Sequence, residues 1–232
     1  MENTGWDHFL TAQDKEVLSR SGREKTRPFG FGTKPALMLI DLYYAALGME
    51  RSNIVDAVER WPMACGDQGW AAVDRASALL DHARAVGVPI IHVGLLAGFP
   101  SPWARETRNT LSALTDAERA RAYDLVDEVA PRDGELVINK SAPSAFRGTP
   151  LEFHLNALGI DTLIVCGEST SGCVRASVVD AATQRYKVGV VAEACFDRTE
   201  ASHWINLFDM DQKYGDVIDS AAAVEYLTRA AG

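Results

Sequence analysis

The apolar residues of this chain fall repeatedly into short continuous runs. The runs read PALMLIDL (35–42), VPIIHVG (88–94), GELVINK (134–140), DTLIVCG (161–167) and KVGVVAEA (187–194). Continuous apolar runs of this length are typical of parallel strands that are buried on both faces of a sheet. We therefore predict that each run forms a strand of one parallel sheet.

Helical patterns separate the predicted strands. Residues 70–86 carry apolar side chains at helical spacing and end at Gly87, a residue type that favours helix C-termini. Thr149, Pro150 and Glu152 predict the capped start of another helix. The remaining predicted boundaries are helix starts after Thr11, at Thr115 with Glu118 and at Asp219 or Ser220, and a helix end at Gly159.

Alternating strands and helices predict an α/β fold, with a single doubly wound domain and helices on both faces of the sheet. We place this domain at residues 35–232 and assign the polar residues 1–34 to an N-terminal arm. The stretches 43–69 and 94–114 are too long for plain connections and are predicted to be lids or interface loops. Ligands of such a fold bind at the carboxyl ends of the strands.

Composition and charge narrow the possible partners. The chain has 232 residues, of which 47% are hydrophobic and 24% charged, and this excludes disordered, collagen-like and coiled-coil proteins. The net charge of -9, without a run of basic residues, argues against nucleic acid and anionic membranes as partners. The N-terminus lacks a secretion signal and the four cysteines form no CxxC pair, so we expect a cytoplasmic protein with reduced thiols.

One segment has the features of a cysteine nucleophile. The chain lacks GxxxxGK[ST], GxGxxG and HExxH, and GESTSG (167–172) is one residue too long for a GxSxG serine site. Cys173 follows that segment and precedes a helical pattern, where the field of a helix N-terminus favours a thiolate. Cys166, inside an apolar run, is assigned to the core.

Asp41 and Lys140 end two other predicted strands and should reach the same edge of the sheet as Cys173. A cysteine nucleophile needs a proton acceptor and a positive neighbour. Each residue alone has an ordinary explanation, since strand-end aspartates cap turns, lysines point to water and cysteines pack in cores. Three such residues at the ends of separate strands favour a catalytic site.

The segments LIDL, INKSAPSAF and GESTSGCVRASVVDA resemble the isochorismatase-like cysteine hydrolase superfamily. The longer segment CFDRTEASHWINLFDMDQKYGDV (195–217) is similar to the branch that holds N-carbamoylsarcosine amidase, maleamate amidase and triuret or related ureide hydrolases. The resemblance implies that residues 35–232 form an isochorismatase-like hydrolase domain with a six-stranded parallel sheet. It also implies a homotetramer or homodimer with sites near the subunit contacts.

For the site, the resemblance implies a catalytic triad of Asp41, Lys140 and Cys173, and a cis peptide bond before Ser169. The backbone N–H groups of Ser169 and Cys173 would form the oxyanion hole. The implied reaction is cleavage of a C–N bond in a small amide or ureide, through a thioester and with release of ammonia, without a cofactor. Related nicotinamidases hold a metal with an Asp-x-His signature that the loop after Asp41 lacks, so we expect no metal.

Two charged residues are candidates for substrate binding. Arg198 matches a position at which the resemblance implies an arginine that grips a carboxylate, or it pairs with neighbouring acids. Glu168 either faces the pocket, where it would neutralise the arginine and suit an uncharged ureide such as triuret, or turns away onto a helix end. We expect triuret-like or N-carbamoylsarcosine-like ureides ahead of maleamate. A non-catalytic interaction domain and vinyl-ether hydrolysis of isochorismate are the alternatives.

Overall fold

The computed structural model describes residues 5–22, 27–96 and 114–232. Its strands are β1 (Pro35–Ile40), β2 (Ile90–Leu95), β3 (Leu136–Lys140), β4 (Thr162–Glu168), β5 (Lys187–Phe196) and β6 (Asp216–Ile218). They form one six-stranded sheet in the order β3-β2-β1-β4-β5-β6, with every pairing parallel. Each apolar run that predicted a strand forms one, and the predicted parallel sheet is confirmed.

Helices separate the successive strands, and further helices precede β1 and follow β6. They are α1 (Ala12–Arg20), α2 (Tyr44–Leu47), α3 (Ile54–Arg60), α4 (Gly66–Val86), α5 (Asp116–Arg121), α6 (Leu151–Leu158), α7 (Arg175–Thr183), α8 (Glu200–Lys213) and α9 (Ser220–Ala231). A π-helical turn, Thr170–Val174, lies between β4 and α7.

Helices cover both faces of the sheet. Successive side chains of a strand point to opposite faces, so neighbouring residues of β1 join different cores. Leu37 packs in one cluster with Leu80 of α4 and Leu227 of α9, whereas Met38 packs in the other with Leu155 of α6. The doubly wound α/β prediction is therefore confirmed.

The centre of the sheet is the point where its strand order reverses. The chain leaves β1 towards β2 and β3 on one side, and leaves β4 towards β5 and β6 on the other. Ile40 pairs in register with Gly167, so Asp41 and Glu168 lie side by side at the carboxyl edge. In open α/β sheets this reversal creates a crevice in which ligands bind.

Most predicted helix boundaries hold, and one cap differs. Helix α6 begins at Leu151 with Pro150 as its N-cap, so Glu152 lies one position too early for the predicted capping box. The Thr149 hydroxyl still accepts the Leu151 N–H at 3.3 Å. The N-caps Thr11, Thr115 and Asp219 and the left-handed ends at Gly87 and Gly159 form as predicted.

The stretch 43–69, which we predicted to be irregular, contains α2, α3 and the first residues of α4. Helix α4 begins at Gly66, before the predicted start at Trp70. Of the other predicted lid, 94–114, residues 97–113 lie outside the described ranges.

The described part of the predicted N-terminal arm packs on the sheet domain. Trp6 is buried, with its ring 6.1 Å from that of Phe208. The backbone N–H groups of Phe29 and Gly30 donate to the Asp216 carboxylate at 2.9 and 2.7 Å. The division between arm and domain at residue 35 stays a prediction. None of the helices in the described part of the chain combines the length and apolar character that a membrane span requires.

Candidate active site

Three ionisable side chains converge at the carboxyl edge of the sheet. Asp41 follows β1, Lys140 ends β3, and Cys173 lies in the π-helical turn. Lys140 Nζ donates to Asp41 Oδ2 at 2.7 Å and to Cys173 Sγ at 3.3 Å. Asp41 and Lys140 are almost completely buried, with 1% and 2% of their surface exposed. The residues that the sequence placed on separate strands thus meet, and their catalytic roles stay predictions.

The backbone around the cluster is shaped by close contact between β1 and β4. Asp41 has a φ of 55°, and its N–H donates to the Val93 carbonyl of β2 at 2.8 Å. Gly167 has a φ of 128°, and a Cβ there would lie 2.0 Å from the Ile40 carbonyl oxygen. Only glycine therefore allows the two strands to end this close together. The peptide bond between Glu168 and Ser169 is cis, as the resemblance implied.

The turn that carries Cys173 is held by local hydrogen bonds. The Ser169 carbonyl accepts the N–H groups of Gly172 at 2.9 Å and of Val174 at 3.1 Å. The Ser177 hydroxyl of α7 donates to the Cys173 carbonyl at 2.7 Å. Ser169 and Cys173, the two residues implied for the oxyanion hole, therefore belong to one ordered turn. Their function as donors stays a prediction.

Burial controls the protonation of the three side chains. Burial, reinforced by the Asp41 carboxyl and opposed by Lys140, raises the pKa of the Cys173 thiol to about 12. Burial also raises the pKa of Asp41, against the lowering effect of Lys140. For Lys140, burial opposes the charge, but Asp41 and Cys173 outweigh it and raise its pKa. The helix N-terminus was expected to favour a thiolate, and burial acts against it, because desolvation raises the pKa of Cys173 more than Lys140 lowers it.

The Asp41 carboxylate retains an unused acceptor. Oδ1 is buried and has no hydrogen bond of ordinary geometry within the described residues. The Asp41 and Cys173 side chains nevertheless lie close enough to shift each other's pKa. A buried carboxylate oxygen beside a protonated thiol can accept its proton.

Glu168 and Arg198 lie side by side, partly buried, beside this cluster. Arg198 Nη2 lies 3.5 Å from Glu168 Oε2, and Glu168 is only 4% exposed. Oε2 has no hydrogen bond within the described residues. Burial, opposed by Arg198 and reinforced by Asp41, raises the pKa of Glu168 to about 8. Glu168 thus turns towards Arg198 and the cluster.

The sequence did not single out two further residues near the site. Tyr43, two positions after Asp41, is buried, and burial and the acids Glu168 and Asp41 raise the pKa of its hydroxyl well above the usual value. Asp197 accepts the N–H groups of Ser171 and Arg198, each at 2.8 Å. The available sequence signal was proximity to the motifs, because Tyr43 directly follows the segment LIDL and Asp197 directly precedes Arg198.

A cavity of about 370 Å³ opens beside the site, between α4, the end of β5 and α8. Its walls include Asp197 and His203 but none of Asp41, Lys140 and Cys173. We place the candidate site at Cys173, because opposed charges and perturbed pKa values converge there. Within residues 5–22, 27–96 and 114–232, no three His, Cys, Asp or Glu side chains cluster as metal ligands would.

Comparison with known proteins identifies the family. The family model for the isochorismatase domain matches residues 52–222. The chain belongs to the isochorismatase family. The maleamate amidohydrolase of Pseudomonas putida is 36% identical over 208 residues, which cover 88% of this chain and 91% of that protein. The N-carbamoylsarcosine amidase of an Arthrobacter species is 32% identical over 217 residues, covering 87% of this chain and 74% of that protein.

Solved structures agree with this assignment. The crystal structure of an isochorismatase family protein from Desulfovibrio vulgaris matches with a TM-score of 0.69 and 27% identity, over 85% of this chain and 100% of that chain. Within the family this chain is an amidohydrolase, a hydrolase of C–N amide bonds, as its motifs predicted. The match to the family model begins after Asp41 and includes Lys140, Cys173 and Arg198.

Proposed function

We propose that this isochorismatase-family amidohydrolase uses Cys173 to cleave a C–N bond of a small carbamoyl compound and releases ammonia through a thioester. One observation carries the proposal. Lys140 Nζ lies 2.7 Å from Asp41 and 3.3 Å from Cys173, at the crevice where the strand order reverses. Such a set contains a nucleophile, a proton acceptor and a fixed positive charge.

In the first half-reaction, the Cys173 sulfur attacks the substrate carbonyl carbon while its proton passes to Asp41. The raised pKa values of both groups favour transfer during the attack over a separate ionisation of the thiol. Lys140 stabilises the negative charge as it moves from one group to the other. Asp41 then gives the proton to the leaving nitrogen, which departs as ammonia, and the thioester remains.

Water completes the cycle. It attacks the thioester carbon as Asp41 accepts one of its protons, and the departing sulfur takes that proton back to restore the thiol. In both steps we propose that the backbone N–H groups of Ser169 and Cys173 bind the oxyanion. One such donor contributes about 3 kcal/mol in a well-studied protease.

The Glu168–Arg198 pair supports a carboxylate-bearing substrate at neutral pH. A pKa of about 8 keeps Glu168 mostly protonated at pH 7, so at this pH Glu168 does not neutralise the positive charge of Arg198. Guanidinium groups bind carboxylates through two parallel hydrogen bonds. The relatives are named for maleamate and N-carbamoylsarcosine, and both compounds contain a carboxylate. We therefore place an N-carbamoylsarcosine-like compound first and maleamate second.

An uncharged ureide such as triuret is the further candidate. It fits the pair when Glu168 is ionised, because the pocket then has hydrogen-bonding groups without net charge. The order differs from the expectation drawn from the sequence, which took Glu168 as an anion that neutralises Arg198. The almost complete burial of Glu168, which raises its pKa, is the reason for the change.

Ammonia release from N-carbamoylsarcosine, maleamate, biuret and triuret at pH 7 tests the proposal. We expect the two carboxylates to have the higher kcat/KM values. Arg198→Ala should raise their KM by about 10- to 100-fold, the effect of losing a charged hydrogen-bond partner, and leave triuret unaffected. Arg175→Ala is the matched control, because Arg175 pairs with Asp209 at 3.7 Å on α7 and α8.

The outcomes separate the parts of the proposal. Absence of ammonia from every compound in the panel would refute the reaction. A preference for triuret at pH 7 would refute only the substrate order, and equal KM changes in both arginine variants would remove Arg198 from the binding site.

A further inference from the structure

The carboxylate of Asp197 joins the two segments of the candidate site. Asp197 directly follows β5, and its Oδ2 accepts the Ser171 N–H at 2.8 Å. Its Oδ1 accepts the Arg198 N–H, also at 2.8 Å. Ser171 lies two residues before Cys173 in the π-helical turn, and Arg198 is the proposed substrate-binding residue. One side chain therefore accepts hydrogen bonds from the π-helical turn that carries Cys173, here called the nucleophile turn, and from the backbone of Arg198.

An irregularity in the sheet places Asp197 at this position. The pairing of β4 with β5 shifts register between Val165 and Gly167, and beyond the shift Gly167 pairs with Cys195. After the shift β5 pairs with β4 as far as Phe196, which lies opposite Glu168. Asp197, the next residue, therefore lies beside the cis peptide bond Glu168–Ser169. Bulges of this kind commonly redirect side chains beside active sites.

Both oxygens of Asp197 are occupied by backbone donors, and only 6% of the residue is exposed. Hydrogen bonds from N–H groups to a buried carboxylate are roughly twice as strong as those between neutral groups. Asp197 is therefore suited to fixing a distance and is poorly suited to accepting a proton from substrate.

We infer that Asp197 is a positioning residue, which fixes the nucleophile turn at a set distance from Arg198 and so matches the site to carboxylate-bearing amides. This inference rests on the proposed function, since it assigns Asp197 a role through Cys173 and Arg198. A second contact supports it, because the Thr170 hydroxyl and His203 Nδ1 of α8 are 2.8 Å apart. The turn is thus tied on two sides to the segment that follows β5.

Asp197→Asn tests the inference, because an amide keeps one acceptor and turns its NH₂ group towards the other N–H donor. Asp216→Asn is the matched control. Asp216 is also a buried carboxylate with one backbone N–H on each oxygen, from Phe29 and Gly30, and it lies at the start of β6. Both variants should lose thermal stability.

Turnover should distinguish the two variants. Misplacing a reacting group by ~1 Å can cost about 10²-fold in rate. On the best carboxylate substrate of the panel, we expect Asp197→Asn to lower kcat at least about tenfold and to raise KM. Asp216→Asn should retain both values within about twofold. A kcat and KM of Asp197→Asn within the same range as the control would overturn the inference.

Alkylation of Cys173 gives a readout that does not depend on the substrate. Iodoacetate carries a carboxylate and iodoacetamide does not, so the ratio of their rates, followed by mass spectrometry, reports the charge of Arg198 near the thiol. We expect Asp197→Asn to lower this ratio by about threefold, towards the value in Arg198→Ala, while Asp216→Asn leaves it unchanged. An unchanged ratio in Asp197→Asn would also overturn the inference.

The test can still be carried out if Asp197→Asn does not fold or if no compound of the panel is a substrate. If Asp197→Asn does not fold, Asp197→Glu retains the charge but lengthens the side chain, and should change the same ratio. If no compound of the panel releases ammonia, the proposed function fails, yet the alkylation ratios still decide whether Asp197 fixes the geometry.

Discussion

Glu168→Gln provides a quantitative test of the charges in the site. Glu168 is 4% exposed and lies 3.5 Å from Arg198, with Asp41, Asp197 and Lys140 as further charged neighbours. Its pKa is raised from 4.5 to about 8, with burial as the largest cause. The folded protein therefore holds a proton that the unfolded chain has lost. Between these two pH values, raising the pH favours unfolding.

The size of the effect follows from linkage. One pKa unit corresponds to about 1.4 kcal/mol. When the pH rises from 5.5 to 7.5, the free energy of unfolding of the wild type should therefore fall by ~2–3 kcal/mol more than that of Glu168→Gln. Urea unfolding of wild type and Glu168→Gln at several pH values measures the difference in the free energy of unfolding. Asp41 is present in both proteins, so its own titration contributes to both curves. Glu152→Gln on the exposed side of α6 is the control for the substitution itself.

The same proton should change substrate preference. As pH rises through about 8, Glu168 ionises and neutralises Arg198, so the kcat/KM ratio of N-carbamoylsarcosine to triuret should fall in the wild type. In Glu168→Gln the ratio should stay constant. Parallel stability curves for wild type and Glu168→Gln, together with parallel ratios, would refute the reasoning that burial holds this carboxyl protonated.

Three further predictions concern the reaction itself. Cys173→Ala should fold and lose more than about 10³-fold in kcat, while Cys166→Ala, which removes a thiol from the core of β4, should keep its turnover. Lys140→Ala should lower the free energy of unfolding by about 3–5 kcal/mol, because it leaves Asp41 buried without its partner, and adding Asp41→Asn should recover part of this stability without further loss of activity. Activity should survive exhaustive treatment with EDTA, because backbone amides are proposed to hold the oxyanion; loss with EDTA and recovery with zinc would contradict this.

The apolar strands at the centre of the sheet could be predicted from the sequence because they are buried on both faces. Every residue of β1 and of β4 is buried, and such strands appear as uninterrupted apolar runs. β6 has only three residues, Asp216–Ile218, and begins with a buried acid, so no apolar run marks it. It was expected only from the family resemblance. Likewise, α2 and α3 are too short for a clear helical period.

The candidate triad could be predicted for a related reason. The topology of a parallel sheet brings all carboxyl strand ends to one edge, so Asp41, Lys140 and Cys173 could be placed together without coordinates. The contact of Asp197 with Ser171 could not, because it depends on the register shift between β4 and β5. No local pattern in KVGVVAEACFDR specifies how far a strand continues past such a shift.

The protonation states of Cys173 and Glu168 could not be predicted from the positions of these residues in the sequence. A cysteine before a helix was expected to be a thiolate, yet burial beside Asp41 raises its pKa to about 12. Glu168 was expected to be an anion, yet burial raises its pKa to about 8. In both cases the cost of desolvating a charge exceeds the attraction of the nearby cation, Lys140 or Arg198. The sequence predicted which groups meet at the sheet edge. Their depth of burial depends on packing by several strands, so only the folded structure determines which of them carry a proton when substrate arrives.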